Sequence, residues 1–161
     1  MSGTEQDHPK STPGELYPSA TFCVSGEDLD FDRITRSLGL TPTRTLRKGE
    51  LLPDLDQVAQ KDSWVYRTPK ITRTMDDCIM VLADALRPHA EAIRDIRRRH
   101  HVDVTCSILT RHKLGGMCLG PESLRFFVEL ELPLRIPSYR MTPPMRRITK
   151  KDGRAADKVA D

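Results

Sequence analysis

Apolar and polar residues alternate singly from Ala20 to Val24, with Ala20, Phe22 and Val24 on one side and Thr21 and Cys23 on the other. A period of two marks a strand with one buried face, and Gly26 ends it. The spacing then lengthens to three and four. Phe31, Ile34 and Leu38 share one helical face behind an Asp30 N-cap, Gly39 suits the C-cap, and Pro42 prevents continuation. Thr43 to Asp62 carries Gly49, Pro53 and many charges without a period, which predicts a long connection holding at most a short edge strand. Ser63 to Thr68 alternates again, with Trp64 and Tyr66 on one face and Val65 and Arg67 on the other.

Thr74 opens the clearest helix, and Asp77 three residues later completes a capping box. Met75, Cys78, Ile79, Leu82, Ala85 and Leu86 form its apolar stripe. Pro88 predicts a break, after which Ala92, Ile93 and Ile96 continue the buried face. His101 to Thr110 alternates strictly, with Val102, Val104, Cys106 and Ile108 inward. Pro121 fits a first helical position, and Leu124, Phe127 and Val128 suggest the buried face of a helix to about Leu130. A strand from about Leu132 to Ile136 follows, confined by Pro133 to a sheet edge or its start. Strand, glycine, short helix and proline-bearing exit thus occur twice, around a central helix. The expected fold is α+β: a four- to five-stranded mixed or antiparallel sheet with helices on one face, a ferredoxin-like sandwich.

The chain of 161 residues has the size of one domain, expected over residues 17–140. Residues 1–16 and 141–161 are rich in Ser, Thr, Pro, Gly and charge without apolar period, and are expected to be disordered. The first carries a net charge of −2 and the second +3, which leaves +2 of the total of +3 for the domain. A core so near neutrality lacks the broad basic footprint of a dedicated nucleic-acid binder, so nucleic acid is not the expected partner. The four cysteines contain no CxxC pair, and Cys78 and Cys106 fall on apolar faces. The opening MSGTEQDHPK lacks a basic start followed by an apolar run, so no signal peptide is expected, and no stretch approaches the ~20 apolar residues of a membrane span. A cytoplasmic protein with free thiols and no membrane contact is expected.

Chemistry-bearing residues mostly have structural readings. His100 and His101 are adjacent and point to different sides, without HxxxH or HExxH, so no metal site is expected. Arg94, Arg97, Arg98 and Arg99 lie three or four residues from Glu91 and Asp95, as on a solvated helix face with ion pairs. The LGGMCLG segment lacks the spacing of a phosphate loop, and no serine or cysteine has a nucleophile elbow or base partner. Asp76 and Asp77 sit in a helix's first turn, where acids favour the dipole. No cofactor is expected. One surface stands out. Arg44, Arg47, Lys48 and Glu50 lie in the long connection that leads to Trp64 and Arg67, residue types enriched at protein–protein hot spots. These six are the candidate partner-binding residues, with Trp64 itself read first as core.

Ala20 to Val24 with Gly26, Asp28, Leu29 and Asp30, then Ile34 to Leu40, Thr41-Pro42-Thr43, Lys48-Gly49-Glu50, Ser63-Trp64, the helix from Met75 to Leu86, Ser123-Leu124 and Leu134 to Tyr139 occur in a set order. In that order and spacing, the segment from about 17 to 140 resembles the bacterial domain-of-unknown-function family four-two-seven-nine. It departs from the pattern around Glu129 to Leu132, where similar proteins carry a Gly-bearing helix exit. The resemblance implies a small stand-alone α+β domain and supplies no catalytic residues; some relatives look like immunity or accessory proteins. The expected function is a non-enzymatic protein-binding module, an immunity or accessory protein of a bacterial toxin, defence or secretion locus. The alternatives are a small-ligand binder or enzyme with a cleft site, and nucleic-acid binding through the basic tail and Arg94 to Arg99.

Overall fold

The computed structural model describes residues 17–52, 57–69, 74–109 and 117–137. The two terminal segments expected to be disordered, and the first three residues of the LGGMCLG link, lie outside the described residues. The elements run β1 (Tyr17–Gly26), α1 (Phe31–Leu38), β2 (Arg44–Leu46), β3 (Asp62–Arg67), α2 (Met75–Leu86), α3 (Ala90–Arg97), β4 (His101–Leu109), α4 (Pro121–Glu129) and β5 (Leu134–Arg135). One five-stranded sheet has the order β2-β3-β1-β4-β5, with β5 parallel to β4 and every other neighbour antiparallel. The fold is α+β with a mixed sheet, as expected. Up to β4 the chain follows the order β-α-β-β-α-α-β, with β1 between β3 and β4.

Alternation decides which face of the sheet is covered. Ala20, Phe22, Val24, Trp64, Val102, Val104 and Cys106 are buried and form one core with Ile34, Leu38, Cys78, Ile79, Leu82, Leu86, Ile93, Ile96 and Phe126 of the helices. No described side chain of the opposite sheet face belongs to that core. Phe22 and Trp64 meet edge to face, with centroids 6.2 Å apart and planes at 82°. Burial of such rings is the largest driving term in a core of this size.

Local chemistry sets the helix ends. The Asp30 carboxylate accepts the Arg33 amide, and Gly39 closes α1 at φ 58°, a left-handed conformation that glycine adopts without a Cβ penalty. Thr74 and Asp77 form the complete capping box of α2. The Pro88 break is a single 3₁₀ turn, Arg87–His89, between α2 and α3.

Three expectations are corrected. On α2, Ala83 is buried while Ala85 is only half-buried. On α4 the buried positions are Ser123, Phe126, Phe127 and Leu130, whereas Leu124 and Val128 face solvent. The two phenylalanines set the phase because they fill more of the core than Leu124 and Val128 would. The last strand is two residues long instead of about five. It lies at the sheet edge, as Pro133 requires, and the Pro133 carbonyl accepts the Val104 amide at 2.9 Å.

Candidate functional site

The six candidate residues separate into three groups. Trp64 is wholly buried, and its Nε1 donates to Thr35 Oγ1 at 3.0 Å. It belongs to the core and presents nothing to a partner.

Arg47, Lys48 and Glu50 serve the architecture of the long connection. Asp62, only 5% exposed, accepts from the Lys48 amide at 2.8 Å, from Arg47 Nη1 at 2.7 Å and from the Leu29 amide at 3.0 Å. Those bonds, the Lys48 amide and the Arg47 guanidinium above all, hold the Asp62 carboxyl below the usual carboxylate range. Arg47 also donates to the Leu29 carbonyl at 2.7 Å and lies 3.9 Å over the Phe31 ring. The Glu50 carboxylate accepts the Arg47 amide at 2.9 Å, and Lys48 Nζ pairs with Glu27 at 3.2 Å. Beyond this clamp the chain turns at Gly49, at φ 88°, and returns as a small hairpin. Its rungs run from the Ala59 amide to the Glu50 carbonyl and from the Leu52 amide to the Gln57 carbonyl, both 2.8 Å. Leu51 and Val58 face each other across it, 66% and 47% exposed.

Arg44 and Arg67 are different: the strand register brings both onto the sheet face that the helices leave bare. Arg67, Thr21, Thr105 and Arg135 form one row across β3, β1, β4 and β5. Arg44, Val65, Cys23 and Asp103 form the next across β2, β3, β1 and β4. Leu46, Ser63, Ser25 and His101 form a third. Ser19 and Ser107 meet on the same face, with hydroxyls 3.1 Å apart.

The centre of the face is therefore small and polar, and its charges lie at two flanks. On the β5 flank, Asp103 is buried although it faces away from the core, because Arg135 Nη2 lies 2.8 Å and His101 Nε2 3.1 Å from its Oδ2. On the β2 flank, Arg44 and Arg67 are exposed, and no carboxylate among the described residues pairs with either. Cys23 lies between the flanks. Burial, and then the neighbouring Asp103 charge, push its thiol up to about 11.

Two further groups have structural duties. Asp76, in the first turn of α2, accepts the Gly120 amide at 2.9 Å and the Ser123 hydroxyl, so one helix's carboxylate caps the start of α4. Those bonds, the Ser123 hydroxyl foremost, lower its pKa. The Arg94 to Arg99 run divides as well: Arg98 pairs with Asp95 at 3.0 Å, and Arg97 reaches Glu131 at 2.9 Å, tying α3 to the exit of α4. Between α1 and α3 lies an open groove of about 580 Å³, lined by charges of both signs, among them Asp28, Arg33, Glu91 and Arg99. Asp30, at its rim, is engaged in capping α1. Among the described residues no group of three or more His, Cys, Asp or Glu side chains is arranged to hold a metal. No helix among them is long and apolar enough to cross a membrane.

Arg44 and Arg67 were legible as candidates from residue type alone. Thr21, Val65 and Arg135, which complete the face, carried no such signal, because only pairing between distant strands assembles them. No curated protein and no solved structure matches the chain. One family model matches residues 15–140, which spans every described element from β1 to β5. The chain belongs to the family described as Domain of unknown function (DUF4279).

Proposed function

We propose that this protein is a non-enzymatic binding module that docks a protein partner on the bare face of its sheet, at the flank formed by Arg44 and Arg67. A bacterial cytoplasmic setting and an immunity or accessory role are part of this reading. The observation that carries it is the pair of exposed arginines on a helix-free face, without a carboxylate partner among the described residues. Arginine, with tryptophan and tyrosine, is one of the residue types enriched at binding hot spots.

The perturbed groups elsewhere support binding over catalysis. Asp62 and Asp76 are held as anions by structural hydrogen bonds, which moves them away from the pKa of a general acid. The Cys106 thiol is pushed up to about 12 by burial, the reverse of what activates a nucleophile.

A photo-crosslinking residue at Val65, on the bare face, and another at Arg94, on the exposed side of α3, test the reading in the native host. A covalent adduct with a second protein from position 65 and none from position 94 is the expected result. Adducts from position 94 alone, or from neither, refute the assignment.

A further inference from the structure

We infer that the partner presents an extended acidic segment, with carboxylates at alternate positions, to Arg44 and Arg67. The inference rests on the docking face proposed above and names the chemistry that the face would recognise. Arg44 is the register partner of Val65, and Arg67 lies two residues beyond Val65 on the same strand. The two arginines are therefore diagonal neighbours on one face, a relation that sets Cα atoms ~7–8 Å apart. An extended chain rises ~3.3 Å per residue and turns alternate side chains to one side, which places the carboxylates of positions i and i+2 ~6.6 Å apart. The two spacings match within the reach of a guanidinium, and each guanidinium can hold a carboxylate by two parallel bonds.

The charges of the face favour this occupant. Among the described residues it carries Arg44, Arg67 and Arg135 against the single carboxylate Asp103, and Arg135 already lies on that carboxylate. The uncompensated positive charge is thus confined to the β2 flank. Val65 and Thr21 lie beside the two arginines, an apolar patch and a hydroxyl over which the methylene stems of glutamates can rest. A nucleic-acid phosphate also pairs with arginine, yet recognition of single strands relies on bases stacked upon aromatic rings. Phe22, Trp64 and Tyr66 all belong to the other face of the sheet, and the His101 imidazole, the ring described on the bare face, is paired with Asp103 on the flank away from Arg44 and Arg67. A protein segment is the better fit.

The test uses the full-length protein and fluorescence anisotropy with three labelled probes: a short alternating Thr-Glu peptide, its Thr-Lys counterpart, and a single-stranded RNA of similar length. Binding of the Thr-Glu peptide is expected, with affinity falling about tenfold in the double variant Arg44→Gln/Arg67→Gln and unchanged in Arg94→Gln. Circular dichroism melting curves of the variants should superpose on that of the parent, since both arginines are exposed. Equal binding of the Thr-Lys peptide, tighter binding of the RNA, or a double variant that binds the acidic peptide as well as the parent each overturns the inference. Such a failure alongside a persisting crosslink from position 65 refutes the acidic chemistry alone. Loss of the crosslink refutes the docking face itself.

Discussion

Asp62 keeps a negative charge at a nearly closed position because three donors from two loops converge on its two oxygens. Burying that charge without them would cost more than the loop's packing returns. The linkage has a definite sign. The folded carboxyl titrates below its unfolded value of about 3.9, so it stabilises the fold above that pH, and the contribution disappears as pH falls toward the lower folded value. Asp62→Asn should therefore be less stable than the parent at neutral pH, and the gap should narrow as the pH is taken below about 4. Urea unfolding of both proteins across that range measures it. A gap independent of pH would show that shape at this position matters and charge does not. Arg47 and Lys48 look like free loop cations in the sequence, yet the Arg47 guanidinium and the Lys48 amide hold Asp62 while the Lys48 ammonium pairs with Glu27.

Among the elements, α4 separates most clearly what the sequence discloses from what it conceals. Its start at Pro121 is readable, and so are the caps of α1 and α2, because a cap is a contact within a few residues of chain. Its phase is not readable, because Leu124 and Val128 fit an apolar stripe as well as Phe126 and Leu130 do until the neighbouring α2 decides. Its cap is equally hidden, since Gly120 has no side chain and borrows Asp76 from α2. The phase is open to a direct check. Val128, 76% exposed, should accept Lys with less than about 0.5 kcal/mol of change, whereas Phe126→Ala should lose about 3–5 kcal/mol in denaturant titrations. Comparable losses at both positions would mean that the helix is rotated from the orientation described. The candidate site was half legible for a similar reason. Residue type pointed to Arg44 and Arg67, but their adjacency depends on pairing β2 with β3, which no local pattern encodes.

For the molecule as a whole, the one-sided core sorts the four cysteines. Cys78 and Cys106 are buried beneath the helices, Cys23 is half-buried on the bare face, and Cys118 is exposed. With Cys23 raised to about 11 and Cys106 to about 12, a thiol reagent at about pH 8 should label Cys118 first and leave those two until the protein unfolds. Mass spectrometry of partially labelled protein reads the order, and early labelling of Cys106 would contradict the packing of β4 against the helices. The sheet order has another consequence, for the way the protein is made. β1 leaves the ribosome first, yet Thr21 at its middle pairs with both Arg67 and Thr105, so neither neighbour exists when it emerges. A nascent chain that has reached β3 still exposes one whole edge of β1, with Phe22 and Val24 uncovered until α2, α3 and β4 follow. Translation that stalls before His101 thus yields a fragment whose central strand is open to pairing with other chains, and burial of that edge becomes the step that commits the chain to its fold.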